Sequence, residues 1–150
     1  LLSAYCQGFF PIAHGDGGIY WYDPDPSAII PLDRFHISRS LRRTIRQQTF
    51  EIRIDSAFTA VMKACAAPAP GREETWISEE IIQAYTRLHQ LGFAHSVEAW
   101  RNGKLVGRFY GVATGGFFAD HLRKFGAIEI PAVEYKLKLG RALLLPTTFR

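Results

Sequence analysis

An α+β fold is what this sequence predicts, and three stretches predict it. Ile81, Ile82, Tyr85, Leu88 and Leu91 recur at helical spacing, which marks one buried helix face. From Ser96 to Phe118, apolar and polar residues alternate on either side of Asn102-Gly103, the dipeptide that a two-residue hairpin favours. FEIRID, 50–55, alternates apolar and charged residues as a half-buried strand does. Helices and antiparallel strands of this kind pack as layers over a shared core.

Taken in chain order, IYWYDPDPSAIIPL (19–32) holds two short aromatic or β-branched runs separated by Asp23-Pro24-Asp25-Pro26. Neither proline can donate to a central ladder, so a small hairpin or an edge strand is expected there. ISRSLRRTIRQQ (37–48) has helix-forming composition with Ser38 or Ser40 as N-cap, and the FEIRID strand follows it. Asp55 or Ser56 is expected to cap a second helix, in which Phe58, Val61, Met62 and Cys65 recur at helical spacing until AAPAPG ends it. Ser78 caps a third, with Glu79 and Glu80 in its positive first turn and Gly92 as its stop. After the Asn-Gly hairpin, 120–125 is expected to form a short helix and 131–144 a longer one, with Pro131 suited to a first turn. There is no internal repeat and no low-complexity linker. The chain divides into a portion of small strands and a basic helix, 1–55, and a second portion, 56–150.

With 150 residues, 47% of them hydrophobic and 21% charged, the composition is that of a globular domain rather than a disordered chain. No apolar run approaches the roughly 20 residues that a membrane helix needs. The chain opens on Leu1, and LLSAYCQGFFP lacks the basic start and cleavage pattern of a secretory signal, so a longer reading frame is expected to precede it. Cys6 and Cys65 lie in apolar surroundings without CxxC spacing, which gives no support to a disulfide framework or thiolate metal site. A reduced, cytoplasmic setting is expected.

The formal charge of +4 is not evenly spread. Arg39, Arg42, Arg43 and Arg46 fall at i, i+3, i+4 and i+7, on one stripe of the predicted helix, with Leu41 and Ile45 on another face. No acidic residue lies between Phe35 and Phe50. A run of mixed charge is ordinarily a solvated face. Four arginines without acids repel one another, and the phosphates of a nucleic-acid backbone would relieve that repulsion and release counterions. No zinc-finger spacing or RNA-recognition signature accompanies them, so the stripe would position a nucleic acid and not read its bases.

The remaining motifs point to ordinary structure. Histidines 14, 36, 89, 95 and 121 show no HExxH or paired-carboxylate spacing and are expected to be partly buried imidazoles, with no metal. No serine sits in a GxSxG context. GVATGG does not lead into a helix at the spacing that cradles a pyrophosphate, and its glycines are better explained as room for a close neighbour, which argues against coenzyme A or a nucleotide cofactor. Trp76, in GREETWIS, is open to two readings: core packing, or the wall of an apolar ligand site.

In sequence order, AYCQGFFP, WYDPDPSAIIPL, HISRSLRRTIRQ, CAAPAPGREETWIS, YTRLHQLGFAHSVEAW, LVGRFYGV and FGAIEIP resemble the leucyl/phenylalanyl-tRNA protein transferases over nearly the whole chain. TWI followed by LHQLGFAHSVE is the most specific part. The resemblance implies an acetyltransferase-like (GNAT-like) mixed sheet flanked by helices, with a small N-terminal α/β portion. It also implies an activity: Leu or Phe moves from Leu-tRNA or Phe-tRNA onto proteins with an N-terminal Arg or Lys, which marks them for degradation (the N-degron pathway). The acyl donor is an aminoacyl-tRNA, so no cofactor is implied, in keeping with the missing phosphate loop. A full-length member is expected to be a monomer with no membrane partner.

By the same resemblance, Trp76 and Phe118 match aromatics that line the pocket for the donor side chain, and Phe109 matches a position where a relative carries Met. Ile12 stands where a relative has a pocket Trp, which makes that wall smaller. Tyr5 and Tyr85 match tyrosines near the donor's terminal adenosine and ester. Arg39, Arg42, Arg43 and Arg46 match the region that meets the tRNA. One departure is Gly107-Arg108, which puts a charge where relatives favour Gly beside the pocket strand.

A larger departure lies in TGGFFADHLRKFG (114–126), where Ala119 joins Asp120 with no turn residues between strand and helix. In the family, the strand continues into a Gly-Glu-Ser-Met-Phe motif, a long helix, and a strand bearing the Asp and Gln that activate the acceptor amine. None of these has a counterpart here, so no catalytic residue is carried over. Either the segment is missing from the natural protein or the sequence is a trimmed one, and a segment before Leu1 is likewise missing. A chain complete as it stands would expose sheet edge and apolar surface, fold poorly or associate, and not catalyse as relatives do. Three functions follow: an aminoacyl-tRNA protein transferase, a tRNA-binding remnant without catalysis, or a peptidoglycan-type aminoacyltransferase of the same broad fold.

Overall fold

The computed structural model describes residues 1–31, 33, 35–69, 74–115 and 127–146, with the backbone of 117–119. The elements run α1 (Leu2–Tyr5), β1 (Phe10–Ala13), β2 (Ile19–Tyr22), β3 (Ser27–Ile29), α2 (Arg39–Arg46), β4 (Glu51–Ile54) and α3 (Phe58–Ala66). They continue with α4 (Glu79–Gln90), β5 (Ala94–Arg101), β6 (Lys104–Thr114), β7 (Phe117–Ala119), β8 (Ile128–Ile130) and α5 (Ala132–Ala142). The expected helix at 120–125 lies outside the described residues.

The α+β class holds. The main sheet has the order β4-β5-β6-β7, and β1-β2 and β3-β8 form two-stranded sheets. Every pair among the described residues is antiparallel. Asn102 and Gly103 turn the β5-β6 hairpin with φ of 51° and 72°, the left-handed pair that suits a two-residue turn.

Alternation sorts this sheet into two faces. Ala94, Ser96 and Glu98 of β5 are buried, and they pair with Val112, Tyr110 and Arg108 of β6 on the face that α3 and α4 cover. Phe58 and Met62 of α3 meet Ile81, Ile82, Tyr85 and Leu88 of α4 there, with Tyr5, Ile77, Ala94 and Val112 completing the core. Each such side chain taken from water stabilises the fold by about 1.5–3 kcal/mol. Val97 and Phe109 pair on the opposite face, beside Ile52 and Ile54 of β4.

β4 is a strand, but it is not half-buried as expected: all four of its residues are exposed, Ile52 at 62% and Ile54 at 46%. It is an edge strand of its sheet, paired on one side only among the described residues. Leu91, expected on the buried face of α4, is 53% exposed because the helix ends at Gln90 and Gly92, with φ +79°, turns the chain away.

Of the two alternatives expected for 19–32, the edge strand holds and the hairpin does not. No hairpin forms across Asp23–Pro26: β2 pairs with β1, Phe10 opposite Tyr22, and β3 pairs with β8, Ser27 opposite Ile130. The β1-β2 turn is His14-Gly15-Asp16-Gly17-Gly18, in which Gly17 has φ +82° and the Asp16 carboxylate accepts from the Gly18 amide at 2.8 Å and from the Tyr20 hydroxyl at 2.8 Å. Asp23 instead forms an ion pair with Lys136 at 2.6 Å, and Asp25 accepts from the Ala132 amide at 3.1 Å. Residues of 1–55 are thus bound to the C-terminal helix.

Two helix starts follow local side-chain chemistry. Ser38 caps α2 by accepting from the Leu41 amide, and Ser78 caps α4 by accepting from Ile81. Neither Asp55 nor Ser56 caps α3; Ala57 occupies the cap position, and the side-chain acceptor comes from β5. Pro131 is the N-cap of α5, one position before the first turn. Among the described residues no helix is long and apolar enough to cross a membrane.

Candidate functional site

Tyr5, at the end of α1, and Tyr85, in the middle of α4, are 80 residues apart in sequence and hydrogen-bonded through their hydroxyls. Their rings meet edge to face, centroids 6.2 Å apart. Burial pushes the Tyr5 phenol up to about 12, against the lowering effect of the Tyr85 hydrogen bond. Burial first, then the neighbouring Tyr5, push Tyr85 upward as well. Both phenols are therefore neutral near pH 7, able to donate or accept a hydrogen bond but not to act as bases. The aromatic column continues through Tyr110, edge to face with Tyr85 at 5.8 Å and with Phe58 at 6.4 Å, to His89, stacked on Phe58 at 4.3 Å.

Trp76 packs half-buried against the same cluster, ahead of α4. Its carbonyl accepts from the Ala13 amide at 3.1 Å, which ties the loop to β1. Ile12, next to Ala13, is half-buried and pairs with Tyr20. Thus Tyr5, Tyr85 and Trp76 meet at one cluster. Phe109 does not join them: it pairs with Val97 and alternates with Tyr110, so it belongs to the other face of the sheet. Phe118 pairs with Ala113 along the backbone, and its side chain lies outside the described residues.

Shallow surface grooves open among the described residues. One, about 370 Å³, runs between α3 and α4 and includes Thr59, Lys63, Glu79 and Arg87. Another, about 420 Å³, is bounded by Leu1, Ser3, Ala4, Gln7, Phe9 and Trp21. Neither is lined by Ile12, Trp76, Phe109, Tyr5 or Tyr85.

The arginine stripe is exposed in full. No residue of α2 is buried, and Ile45 on its apolar side is itself 57% exposed. Among the described residues none of Arg39, Arg42, Arg43 and Arg46 forms an ion pair. Arg43 and Arg46 also lie in the last turn, where the helix dipole is negative and stabilises them.

A second polar cluster went unread in the sequence. Asp55, held at φ +55°, accepts from the Ser96 amide at 2.8 Å and bonds His95 Nδ1 at 2.7 Å. Glu98, 0% exposed, accepts from the hydroxyls of Ser56 and Ser96, each at 2.6 Å, and from the Ser56 and Ala57 amides at 3.3 Å. Burial raises the Glu98 carboxyl, but the four hydrogen bonds together outweigh it and hold the group below the ordinary carboxylate range. The signal that marks this cluster is Ser96 and Glu98 two apart in a strand, on the same face as Ala94. His89 Nδ1 bonds the Ala94 carbonyl at 2.8 Å, so both strand-side histidines are partly buried imidazoles with oxygen partners. Among the described residues no group of His, Cys, Asp or Glu could hold a metal ion.

Arg108, the departure beside the expected pocket strand, serves the packing of the fold. Its guanidinium donates to the Ala64 carbonyl at 2.8 Å, near the C-terminus of α3. Gly107 leaves room for Ala99, whose Cβ would stand 3.1 Å from any Cβ added there.

Fold and surface together define an α+β protein with a buried aromatic cluster and one exposed, purely basic helix. Residues 29–120 match the family model described as leucyl/phenylalanyl-tRNA protein transferase, and residues 1–25 match the model of its N-terminal domain. A leucyl/phenylalanyl-tRNA–protein transferase of Herpetosiphon aurantiacus is 47% identical over 187 aligned positions, covering 99% of this chain and 95% of the relative. Proteins of the same name from Gloeobacter violaceus and Nitratidesulfovibrio vulgaris are 43% and 54% identical, covering 100% and 98% of this chain and 95% and 79% of the relatives. The chain belongs to the leucyl/phenylalanyl-tRNA protein transferase family. The 187 positions aligned with the Herpetosiphon protein exceed the 150 residues here, so at least 37 of them face no residue of this chain. The main family match ends at Asp120, beside the junction where the sequence pattern breaks.

Proposed function

We propose that this chain is an aminoacyltransferase that moves Leu or Phe from its tRNA to a protein, with an N-terminal Arg or Lys as acceptor, and so marks that protein for degradation. Membership of the family supports the reaction, and one observation of this chain carries it: a helix with four exposed guanidiniums and no acidic partner, suited to a phosphate backbone. Arg39, Arg42, Arg43 and Arg46 would hold the tRNA body. Tyr5 and Tyr85 would lie near the terminal adenosine and ester, with Trp76, Ile12 and Phe118 around the donor side chain. An acetyltransferase-like arrangement and a cytoplasmic location belong to the same reading.

The chemistry makes limited demands. The α-amine of the acceptor, with pKa about 7.7–8.0, attacks the ester carbonyl as the free base. An amide bond forms, the ester C–O bond breaks, and the ribose hydroxyl leaves with a proton. Holding amine and ester in line supplies most of the acceleration, and hydrogen-bond donors facing the developing oxyanion supply the rest. The ester is already activated, so the reaction needs no cofactor. An apolar slot favours Leu and Phe over smaller side chains by about 1–3 kcal/mol per methylene.

A second reading, tRNA binding without transfer, is favoured by the alignment positions that this chain leaves empty. Incubation with labelled Phe-tRNA and a peptide that begins with Arg decides between them. Labelled peptide supports the transferase. Salt-dependent tRNA binding without labelled peptide supports the binding module, and the absence of both rejects the two together.

A further inference from the structure

We propose that two copies of this chain associate through β4, edge to edge, about a two-fold axis at Ile52. The bond from the Asp55 amide to the Ser96 carbonyl, 3.0 Å, fixes the phase of the β4-β5 ladder. Arg53 and Glu51 then turn their backbone groups toward Glu98 and Trp100 of β5, and Ile52 and Ile54 turn theirs outward. The β5-β6 ladder agrees with this phase, since Ala113 donates to Phe93 at 2.8 Å and the residues of β5 that bond β6 are the intervening ones. Among the described residues no strand meets those outward groups. Within this short edge there is no proline, no bulge and no lysine, and its two charges, Glu51 and Arg53, are of opposite sign.

The sequence of β4 is complementary to itself. In an antiparallel pairing centred on Ile52, the two Ile52 residues exchange their N–H···O=C bonds, and Glu51 of each copy stands opposite Arg53 of the other. Within one chain, Arg53 already holds Glu51 by two bonds, at 2.8 and 2.9 Å. The pairing joins the two ion pairs into a ring of alternating charge on one side of the seam. On the other side the two Ile52 side chains, exposed in the single chain, meet each other, and Ile54 of each copy stands opposite Phe50 of the other. This occupant, a second copy, departs from the single copy expected of the sequence, and it rests on edge geometry and not on the proposed reaction.

Sedimentation velocity of the whole chain over a wide concentration range tests it. Expected is a monomer–dimer equilibrium. Glu51→Arg and Arg53→Glu each put like charges opposite at two symmetric places and should weaken it by about tenfold, and the double swap E51R/R53E should restore it. Ile52→Pro removes the outward N–H without touching the β4-β5 ladder and should abolish the dimer even if a charge variant fails to fold. A chain that sediments as a monomer throughout overturns the proposal. So does a dimer indifferent to the single swaps and to I52P, or one that the double swap does not restore.

Discussion

The carboxylate of Glu98 closes the N-terminus of α3 from a strand 42 residues further along the chain, through the amide and hydroxyl of Ser56. Ser56 bonds to Oε2, and the other oxygen, Oε1, accepts from the Ser96 hydroxyl and the Ala57 amide. A buried charge is tolerable here because every contact it makes is a donor. Glu98→Ala leaves the buried Ser96 hydroxyl without its acceptor and returns the Ser56 and Ala57 groups to water, and should cost about 1–3 kcal/mol, with Glu98→Gln costing less because the amide keeps one acceptor. Urea denaturation, with the midpoint lowered and the slope unchanged, is the check.

That group also makes stability depend on pH. Its folded pKa is depressed, so its contribution is complete above the unfolded value of about 4.3 and is lost as pH falls through the lower folded value. Stability measured by urea titration from pH 6 downward should fall more steeply in the natural chain than in E98Q. Equal slopes would show that Glu98 does not contribute.

The Tyr5–Tyr85 hydroxyl pair should behave non-additively. Either single change to Phe leaves one phenol buried without its partner, at a cost of about 1–3 kcal/mol. Removing both hydroxyls leaves nothing orphaned, so the double variant should lose less than the sum of the singles. A double-mutant cycle in chemical denaturation measures the coupling, and strict additivity would mean that the hydroxyls act independently.

Gly115 has φ +57°, and a Cβ there would stand 2.5 Å from the Ala142 carbonyl oxygen and 2.6 Å from Leu143 Cα. Both obstacles are backbone at the end of α5, which cannot rotate aside. Gly115→Ala should cost about 1–3 kcal/mol from the left-handed conformation, with the clash added. A thermal midpoint equal to that of the natural chain would refute this.

Arg42→Ala and Arg43→Ala touch no ion pair among the described residues, so each should change stability by no more than about 0.5 kcal/mol. Each should reduce the slope of log affinity for tRNA against log salt by about 0.7–0.9. Affinity and slope that remain unchanged would remove α2 from the tRNA contact.

The parts legible in the sequence are those whose partners lie nearby. The apolar spacing of Ile81 to Leu88 and the Asn102-Gly103 turn are local signals, and α4 and the β5-β6 hairpin follow from them. The Asp23–Pro26 turn misled because turn chemistry marks where a chain bends but not which strand it returns to. The Gly-rich stretch 14–18 was the better hairpin signal, and it lay between FPIA and IYWY. β8 has only three residues and pairs with a strand about a hundred positions earlier, beyond the reach of any pattern in a local window. The α3 cap was missed for the same reason, since Ser56 and Asp55 have the right chemistry but both are engaged by β5. For the site, the arginine stripe was visible as charge without counter-charge, and the meeting of Tyr5 with Tyr85 came only from the resemblance.

The pairing of Ser27 with Ile130 has a consequence for how the protein comes off the ribosome. Closing a loop of about a hundred residues costs roughly 4 kcal/mol of chain entropy, and the helices and the Asn-Gly hairpin between them can form without it. β3 must therefore wait, with its neighbour Asp23, until β8 and Lys136 have been synthesised. β3 is thus among the last strands secured although it is made early, so a stall during translation short of residue 128 would leave it as the segment open to proteases.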